Sequence, residues 1–199
     1  LIKVKDLVYG YKDLSFGPLS FEVNGTLAIT GPNGSGKSSL LRALMGGIRS
    51  HGIIEVDGKI IQKGKKGLKP EKRPMVYVPQ REPAIPFLTV EENLSLAGNI
   101  DEDLLEELGI KKYMKVKVSK LSGGLRKRVG IAMALVSKKK VVLLDEPLSG
   151  IDPESRKTLI DIIIKRTRGK DVLWVTHFDE VVRALDKALR LQPVKSSLS

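Results

Sequence analysis

Leu27-Ala28-Ile29-Thr30-Gly31-Pro32-Asn33-Gly34-Ser35-Gly36-Lys37-Ser38-Ser39 runs from an apolar segment through a glycine-rich loop to a lysine and two serines. From Gly31 to Ser38 it fits G-x-x-x-x-G-K-[ST] at every fixed position. The apolar run Leu27–Thr30 reads as a strand and Lys37–Met45 as a helix, which is the context this motif requires. Glycines let the backbone wrap an anion with successive N–H groups pointing inward, and the helix N-terminus adds partial positive charge. Lys37 is predicted to reach the β- and γ-phosphates of a nucleotide as a point charge, and the Ser38 hydroxyl to ligate Mg²⁺. The candidate nucleotide-binding set is therefore Gly31, Pro32, Asn33, Gly34, Ser35, Gly36, Lys37, Ser38 and Ser39. The bland alternative is a glycine-rich turn with a chance lysine, and the flanking strand and helix weigh against it.

Met75–Val78, Val141–Leu144 and Val172–Thr176 are further short apolar runs ending in polar residues. Such runs suit parallel strands covered on both faces by helices. Open α/β sheets bind ligands beyond the carboxyl ends of their strands. One run leads into Asp145-Glu146-Pro147. Asp145, at the strand end near Ser38, is predicted to hold Mg²⁺ directly or through water. Side chains alternate along a strand, so Glu146 points elsewhere, placed to orient and deprotonate an attacking water. An acid at a strand end is more often a simple helix cap, and the upstream phosphate loop reverses that preference.

Helix signals fill the intervals. Thr89 and Glu92 form a capping box for a helix through about Ala97. Asp101–Leu108 reads as a short helix ended by Gly109, and Gly123–Val136 as another opened by Ser122. Asp152 followed by Pro153 predicts an N-cap and first helical position, with Gly169 as the stop. Ile2–Val8, Leu19–Val23 and Ile53–Val56 alternate and suggest an antiparallel patch beside the main sheet. The polar tail Pro193–Ser199 is expected to fray.

The chain has 199 residues with 41% hydrophobic content, enough for one sizeable core. It has no cysteine, which excludes disulfides and thiolate metal sites. The net charge of +12 points to an anionic partner, whether nucleotide, nucleic acid or acidic lipid. Basic residues cluster at Lys59–Arg73, Lys111–Lys120, Arg126–Arg128 and Lys138–Lys140, most simply as solvated surface. No apolar run approaches the roughly 18 residues of a membrane span, and no secretory signal opens the chain.

From Leu121 onward the residues go beyond a generic nucleotide binder. Leu121-Ser122-Gly123-Gly124 resembles the signature motif of ATP-binding-cassette (ABC) ATPases. The other motifs follow in the family's order. Gln80 looks like the Q-loop glutamine, Ser149-Gly150-Ile151-Asp152 like the D-loop, and His177 like the switch histidine. Tyr11 looks like the A-loop aromatic that stacks on adenine. The resemblance covers nearly the whole chain. It implies an α/β, RecA-like P-loop NTPase core with a mostly parallel sheet, an N-terminal antiparallel β patch and an inserted α-helical subdomain. The expected division is one ABC ATPase domain over 1–199, with a nucleotide-binding core at 1–86 and 137–199 and a helical signature subdomain at 87–136.

The family also implies head-to-tail packing of two such subunits, with ATP and Mg²⁺ between one phosphate loop and the other signature. The residues agree with this: Ser122, Gly123 and Gly124 open a helix, making an anion site with no lysine of its own. His177 would contact the γ-phosphate and hold water with Glu146. Gln80 would touch metal or water and report to the helical segment. Asp152 has a competing role as a helix cap, and a lone histidine after a strand is often only a satisfied core residue. Three features depart from the family: Leu125 where the signature continues with glutamine, Gly150 where alanine is common, and a short segment between Gln80 and Ser122.

The leading expectation is thus a Mg-dependent ATPase serving a membrane transporter. Its partners would be a second ATPase subunit and a separate integral-membrane subunit docking between Gln80 and the helical insert. It would be cytoplasmic, peripheral on the inner face of the cell membrane, with nucleic acid not expected as a partner. The alternative is a soluble ABC ATPase acting on nucleic acid or a protein assembly. A P-loop phosphotransferase is disfavoured by the signature and His177.

Overall fold

The computed structural model describes residues 1–81, 83–185 and 187–192. In chain order the elements are β1 (Ile2–Tyr11), β2 (Leu14–Val23), β3 (Thr26–Thr30), α1 (Lys37–Met45), β4 (Arg49–Val56), β5 (Lys59–Gly64), β6 (Lys66–Gly67) and β7 (Met75–Val78). Then come α2 (Val90–Ala97), α3 (Glu102–Glu107), α4 (Gly123–Val136), β8 (Val141–Asp145), α5 (Pro153–Arg166), β9 (Asp171–Val175), α6 (Asp179–Ala184) and β10 (Lys187–Arg190).

Two sheets result. One is parallel throughout, in the order β10-β3-β9-β8-β7. The other is antiparallel, in the order β2-β1-β4-β5-β6. Strands β8 and β9 are buried along their whole length, which is why they read as unbroken apolar runs.

The strand alternation divides the core in two. Leu27, Ile29, Val141, Leu143, Leu173 and Val175 face one way, against Leu40, Leu41 and Leu44 of α1 and against Ile2, Leu7 and Ile54 of the antiparallel sheet. Ala28, Val142, Leu144, Val172 and Trp174 face the other way, onto apolar positions of α2 to α5. The phosphate-loop helix is therefore clamped between the sheets. At about 25 cal/mol per Å² of apolar surface, side chains such as Leu40, Leu41 and Leu44 each contribute on the order of 2 kcal/mol to holding it there.

Helix entries follow the predicted chemistry. Thr89 and Glu92 make both hydrogen bonds of the capping box, at 3.2 and 2.7 Å. Asp101, Ser122 and Asp152 cap α3, α4 and α5. Several expectations need correction. Helix α5 ends at Arg166, and Gly169 lies in the turn beyond it at φ 81°. Strands β5 and β6 lie inside the lysine-rich Lys59–Arg73 segment read as solvated surface. Arg73, in that segment, is buried and donates to the carbonyl oxygens of Ala43, Leu44 and Leu68 and to Gln62. The end of α1 thereby receives a cation where the helix dipole favours one. Strand β10 and helix α6 had no sequence counterpart. The expectation for Pro193–Ser199 falls outside the described residues. No helix among the described residues is long and apolar enough to cross a membrane.

Candidate active site

Ile29 and Asp145 both pair with Val175 of the strand between them, so β3, β9 and β8 end together. The segments that follow these strands meet at one edge: the phosphate loop, the turn at Glu146 and the turn at His177, joined by Gln80 beyond β7.

Gly36 sits at the N-cap of α1 with φ 86°, and no side chain among the described residues caps it. The first-turn N–H groups are thus free for an anion. A side chain at position 36 would be strained, and its Cβ would also come within 2.6 Å of the Phe16 ring. Lys37 is buried and arches back over the loop, its Nζ donating to the carbonyl oxygens of Gly31 at 2.8 Å and Pro32 at 3.0 Å. The Ser35 hydroxyl is buried without a partner among the described residues.

Asp145 is 1% exposed and lies beneath this loop. Its Oδ1 accepts from Ser38 Oγ at 2.8 Å and its Oδ2 from the Tyr77 hydroxyl at 2.9 Å. Burial pushes the Tyr77 phenol up to about 12, against the opposing hydrogen bond of Arg42, so it stays a donor to the carboxylate. The donor set suits Mg²⁺, which is typically held through one or two carboxylates while water and phosphate oxygens complete the shell. The touching hydroxyl and carboxylate match that pattern, and no cluster of three or more acidic, histidine or cysteine ligands occurs among the described residues.

Glu146 adopts φ 48°, a left-handed conformation unusual for a residue with a side chain. Such strain costs on the order of 1 kcal/mol or more and persists where the surroundings impose it. Here the Glu146 N–H donates to Val175 O at 3.0 Å. Glu146 Oε2 accepts from Gln80 Nε2 at 3.1 Å and lies 3.3 Å from His177 Nδ1. Gln80, Glu146 and His177 thus converge. They line a cavity of about 750 Å³ together with Asn33, Gly34, Gly36, Lys37, Ser38 and Ser39, a size within the range of small-molecule sites.

Other candidates lie elsewhere. Tyr11 is 48% exposed at the end of β1, its hydroxyl accepting from Arg42 Nη1 at 3.2 Å, and it is not among the residues lining this cavity. The apolar wall is formed instead by Leu14 and Phe16, which no motif marks. Phe16 is buried and stacks at 5.4 Å on Tyr9 of the neighbouring strand. Ser122 and Gly123 are exposed, and Ser122 Oγ accepts from Leu125 N at 3.3 Å. A Cβ at Gly123 or Gly124 meets no described atom within 4 Å. None of Ser122, Gly123 and Gly124 lines the phosphate-loop cavity. Leu125, at the position where the resemblance leads to an expectation of glutamine, packs against the core on the α4 side. Asp152 accepts from Ser155 N at 2.9 Å, and that bond holds its carboxyl below the usual range.

Sequence reading also missed Tyr77 and Lys127. Tyr77 is a polar tip in an otherwise apolar strand, which is the only signal it offers. Lys127 of α4 donates to the backbone oxygen and hydroxyl of Ser149. Burial lowers its pKa, and the charge of Glu146 opposes the shift.

Comparison with known proteins agrees with this geometry. The ABC transporter family profile matches residues 14–149. The molybdenum import ATP-binding protein ModC of Rhodospirillum rubrum is 34% identical over 177 residues, covering 81% of this chain and 48% of that protein. The molybdate/tungstate import ATP-binding protein WtpC of Pyrococcus horikoshii is 33% identical over 207 residues, covering 94% and 58%. A solved ATP-binding subunit of an ABC transporter superposes with TM-score 0.82 at 27% identity, covering 96% of this chain and 85% of that one. The chain spans about half the length of the curated relatives it matches. With the profile running through most of the chain and relatives above 30% identity aligned along it, the chain belongs to the ABC transporter family.

Proposed function

We propose that this chain binds Mg-ATP, hydrolyses it as one half of a head-to-tail pair, and so drives a separate membrane-spanning transporter subunit. The observation that carries the reading is the convergence of Gln80 and His177 on the Glu146 carboxylate at the rim of the phosphate-loop cavity. Glu146 takes the proton of the attacking water, and Gln80 and His177 fix its carboxylate and the water. The N-terminus of α1 and Lys37 hold the phosphates. Ser38, Asp145 and Gln80 would hold Mg²⁺, which when bound neutralises charge on the β- and γ-phosphates.

The head-to-tail arrangement is supported by where Ser122, Gly123 and Gly124 lie. They form an open helix N-terminus, apart from the cavity that holds their own chain's phosphate loop. Such a group serves a γ-phosphate presented by a second copy or a related subunit. Asp152 and its loop would then face the partner while also capping α5. Tyr11, freed from Arg42, would reach the adenine. The 1–86 and 137–199 segments would act as the core, and 87–136 as the signature-bearing subdomain.

The transporter role is supported by relatives named as import ATP-binding proteins. It is also supported by the exposed apolar side chains Phe87 and Leu96, at 69% and 67% exposure on the helical part. These would receive the membrane subunit and keep the chain at the inner membrane face. The test is twofold. Glu146→Gln should keep Mg-ATP affinity within about threefold while phosphate release falls at least on the order of a hundredfold. Affinity capture from detergent-solubilised membranes should recover a membrane-spanning protein. Undiminished phosphate release would refute the catalytic assignment, and capture of soluble proteins alone would refute the transporter role.

A further inference from the structure

Arg156, in the first turns of α5, is 15% exposed and makes contacts that helix packing alone does not require. Its Nη2 donates to the carbonyl oxygen of Ile151 at 3.1 Å, inside the loop that leads to Asp152. Its Nη1 donates to Glu180 of α6 at 2.9 Å. The guanidinium carbon lies 3.8 Å from the centre of the Phe178 ring. Phe178 in turn packs on the His177 imidazole, with ring centres 4.0 Å apart and planes tilted by 41°. His177 Nδ1 is the atom that stands 3.3 Å from Glu146. Arg156 Nε is buried without a hydrogen-bond partner among the described residues. Buried N–H groups are normally satisfied, and this one stays unpaired while the group keeps its aromatic stack and its two terminal hydrogen bonds.

The plain alternative is a helix-surface cation joining α5 to α6 through Glu180. That explains one contact of the three. Only a planar guanidinium can lie over an aromatic face while donating along two edges, and lysine lacks that shape. The far end of the same loop is fastened by Lys127 to Ser149, so the Ser149–Asp152 segment is held from both sides. We propose that Arg156 is a positioning residue for His177: it seats Phe178, Phe178 carries the imidazole toward Glu146, and the bond to Ile151 makes this seating follow the Ser149–Asp152 loop. The proposal rests on the reading of Glu146 and His177 given above. It adds a mechanical link within one chain between that pair and the loop assigned to the partner-facing side.

The test combines a double-mutant cycle with a direct probe of the ring. Arg156→Gln should lower kcat for Mg-ATP roughly ten- to a hundredfold, the scale of a small misplacement of a catalytic group. KM should stay within about threefold, and Arg156→Lys should recover little. In a His177→Ala background Arg156→Gln should cost nothing more, because the residue it positions is gone. The chain has two histidines, so imidazole proton resonances are assignable with His51→Gln. Arg156→Gln and Phe178→Leu should both shift the His177 signal and leave that of His51 in place, while Phe178→Tyr should hold it near wild type. If Arg156→Gln fails to fold, Arg156→Lys and Phe178→Leu give the same two readouts. Additive losses in the cycle, or a His177 resonance unmoved by these changes, would overturn this inference alone. Wild-type turnover in His177→Ala would overturn the underlying reading of the site, and the inference with it.

Discussion

Ser38 and Asp145 lie 107 positions apart in sequence, yet Ser38 Oγ donates to Asp145 Oδ1 at 2.8 Å. The phosphate loop and the strand carrying the acids are thus joined by their own side chains. Asp145→Asn replaces one acceptor oxygen by a donor and removes the charge. The expected result is a loss of ATP affinity on the order of ten- to a hundredfold in the presence of Mg²⁺, with affinity in EDTA close to wild type. Isothermal titration under both conditions measures it. An equal loss in both would assign Asp145 to loop structure alone.

Tyr77 holds the other oxygen of the same buried carboxylate at 2.9 Å. Tyr77→Phe leaves that oxygen without its donor while preserving the ring. Destabilisation of about 1–3 kcal/mol is expected, read from the urea midpoint with an unchanged slope. A midpoint equal to wild type would show that the bond contributes nothing net.

Glu107, at the end of α3, fastens that helix to α5 through Arg166 Nε and Lys165 Nζ, both at 2.8 Å. Arg166 first, then Lys165, depresses its carboxyl to about 2. A depressed carboxyl contributes stability above its unfolded pKa of about 4.3 and loses that contribution as pH falls through the folded value. The group is partly solvated, so the contribution is below about 1 kcal/mol. Glu107→Gln should therefore be less stable than wild type at pH 7, with the gap narrowing as pH falls from about 4.5 toward 2. Urea midpoints of both chains at pH 7 and pH 3 check this, and a gap that widens at low pH would contradict it.

The parts of the molecule legible from sequence are those where chemistry leaves few choices. The loop from Gly31 to Ser38, the acids at 145 and 146 and the caps at Thr89, Ser122 and Asp152 each need particular residue types at fixed spacing. Strands β8 and β9 were legible because burial on both faces demands unbroken apolar runs. The edges were not. In β5 the buried positions are the neighbours Ile61 and Gln62, which gives no alternation to read, and the exposed sites hold Lys59, Ile60 and Lys63. Strand β10, Lys187-Ala188-Leu189-Arg190, is an edge with none of its four residues buried, so its pairing with β3 left no pattern. Tyr77 and Arg156 escaped for another reason. Their partners Asp145, Ile151 and Phe178 are set by strand register and loop path, which no local spacing encodes. Tyr11 shows the converse: a residue marked by its motif is tied to Arg42 in this structure.

Head-to-tail pairing requires each nucleotide to be held by the phosphate loop of one chain and the Ser122–Gly124 helix start of another. Gly123→Asp is a clean probe, since its Cβ meets no described atom and an acid is favourable in a helix's first turn. Lys37→Ala is its counterpart, removing the ammonium proposed to bind phosphate. Both are placed in chains carrying Glu146→Gln, and masses are read by light scattering after size exclusion with Mg-ATP. The Glu146→Gln chain is expected to dimerise, each doubly substituted chain to stay monomeric, and mixing the two to restore a heterodimer holding one nucleotide. A Glu146→Gln chain that remains monomeric, or a Gly123→Asp chain that dimerises on its own as readily as its parent, would contradict that pairing.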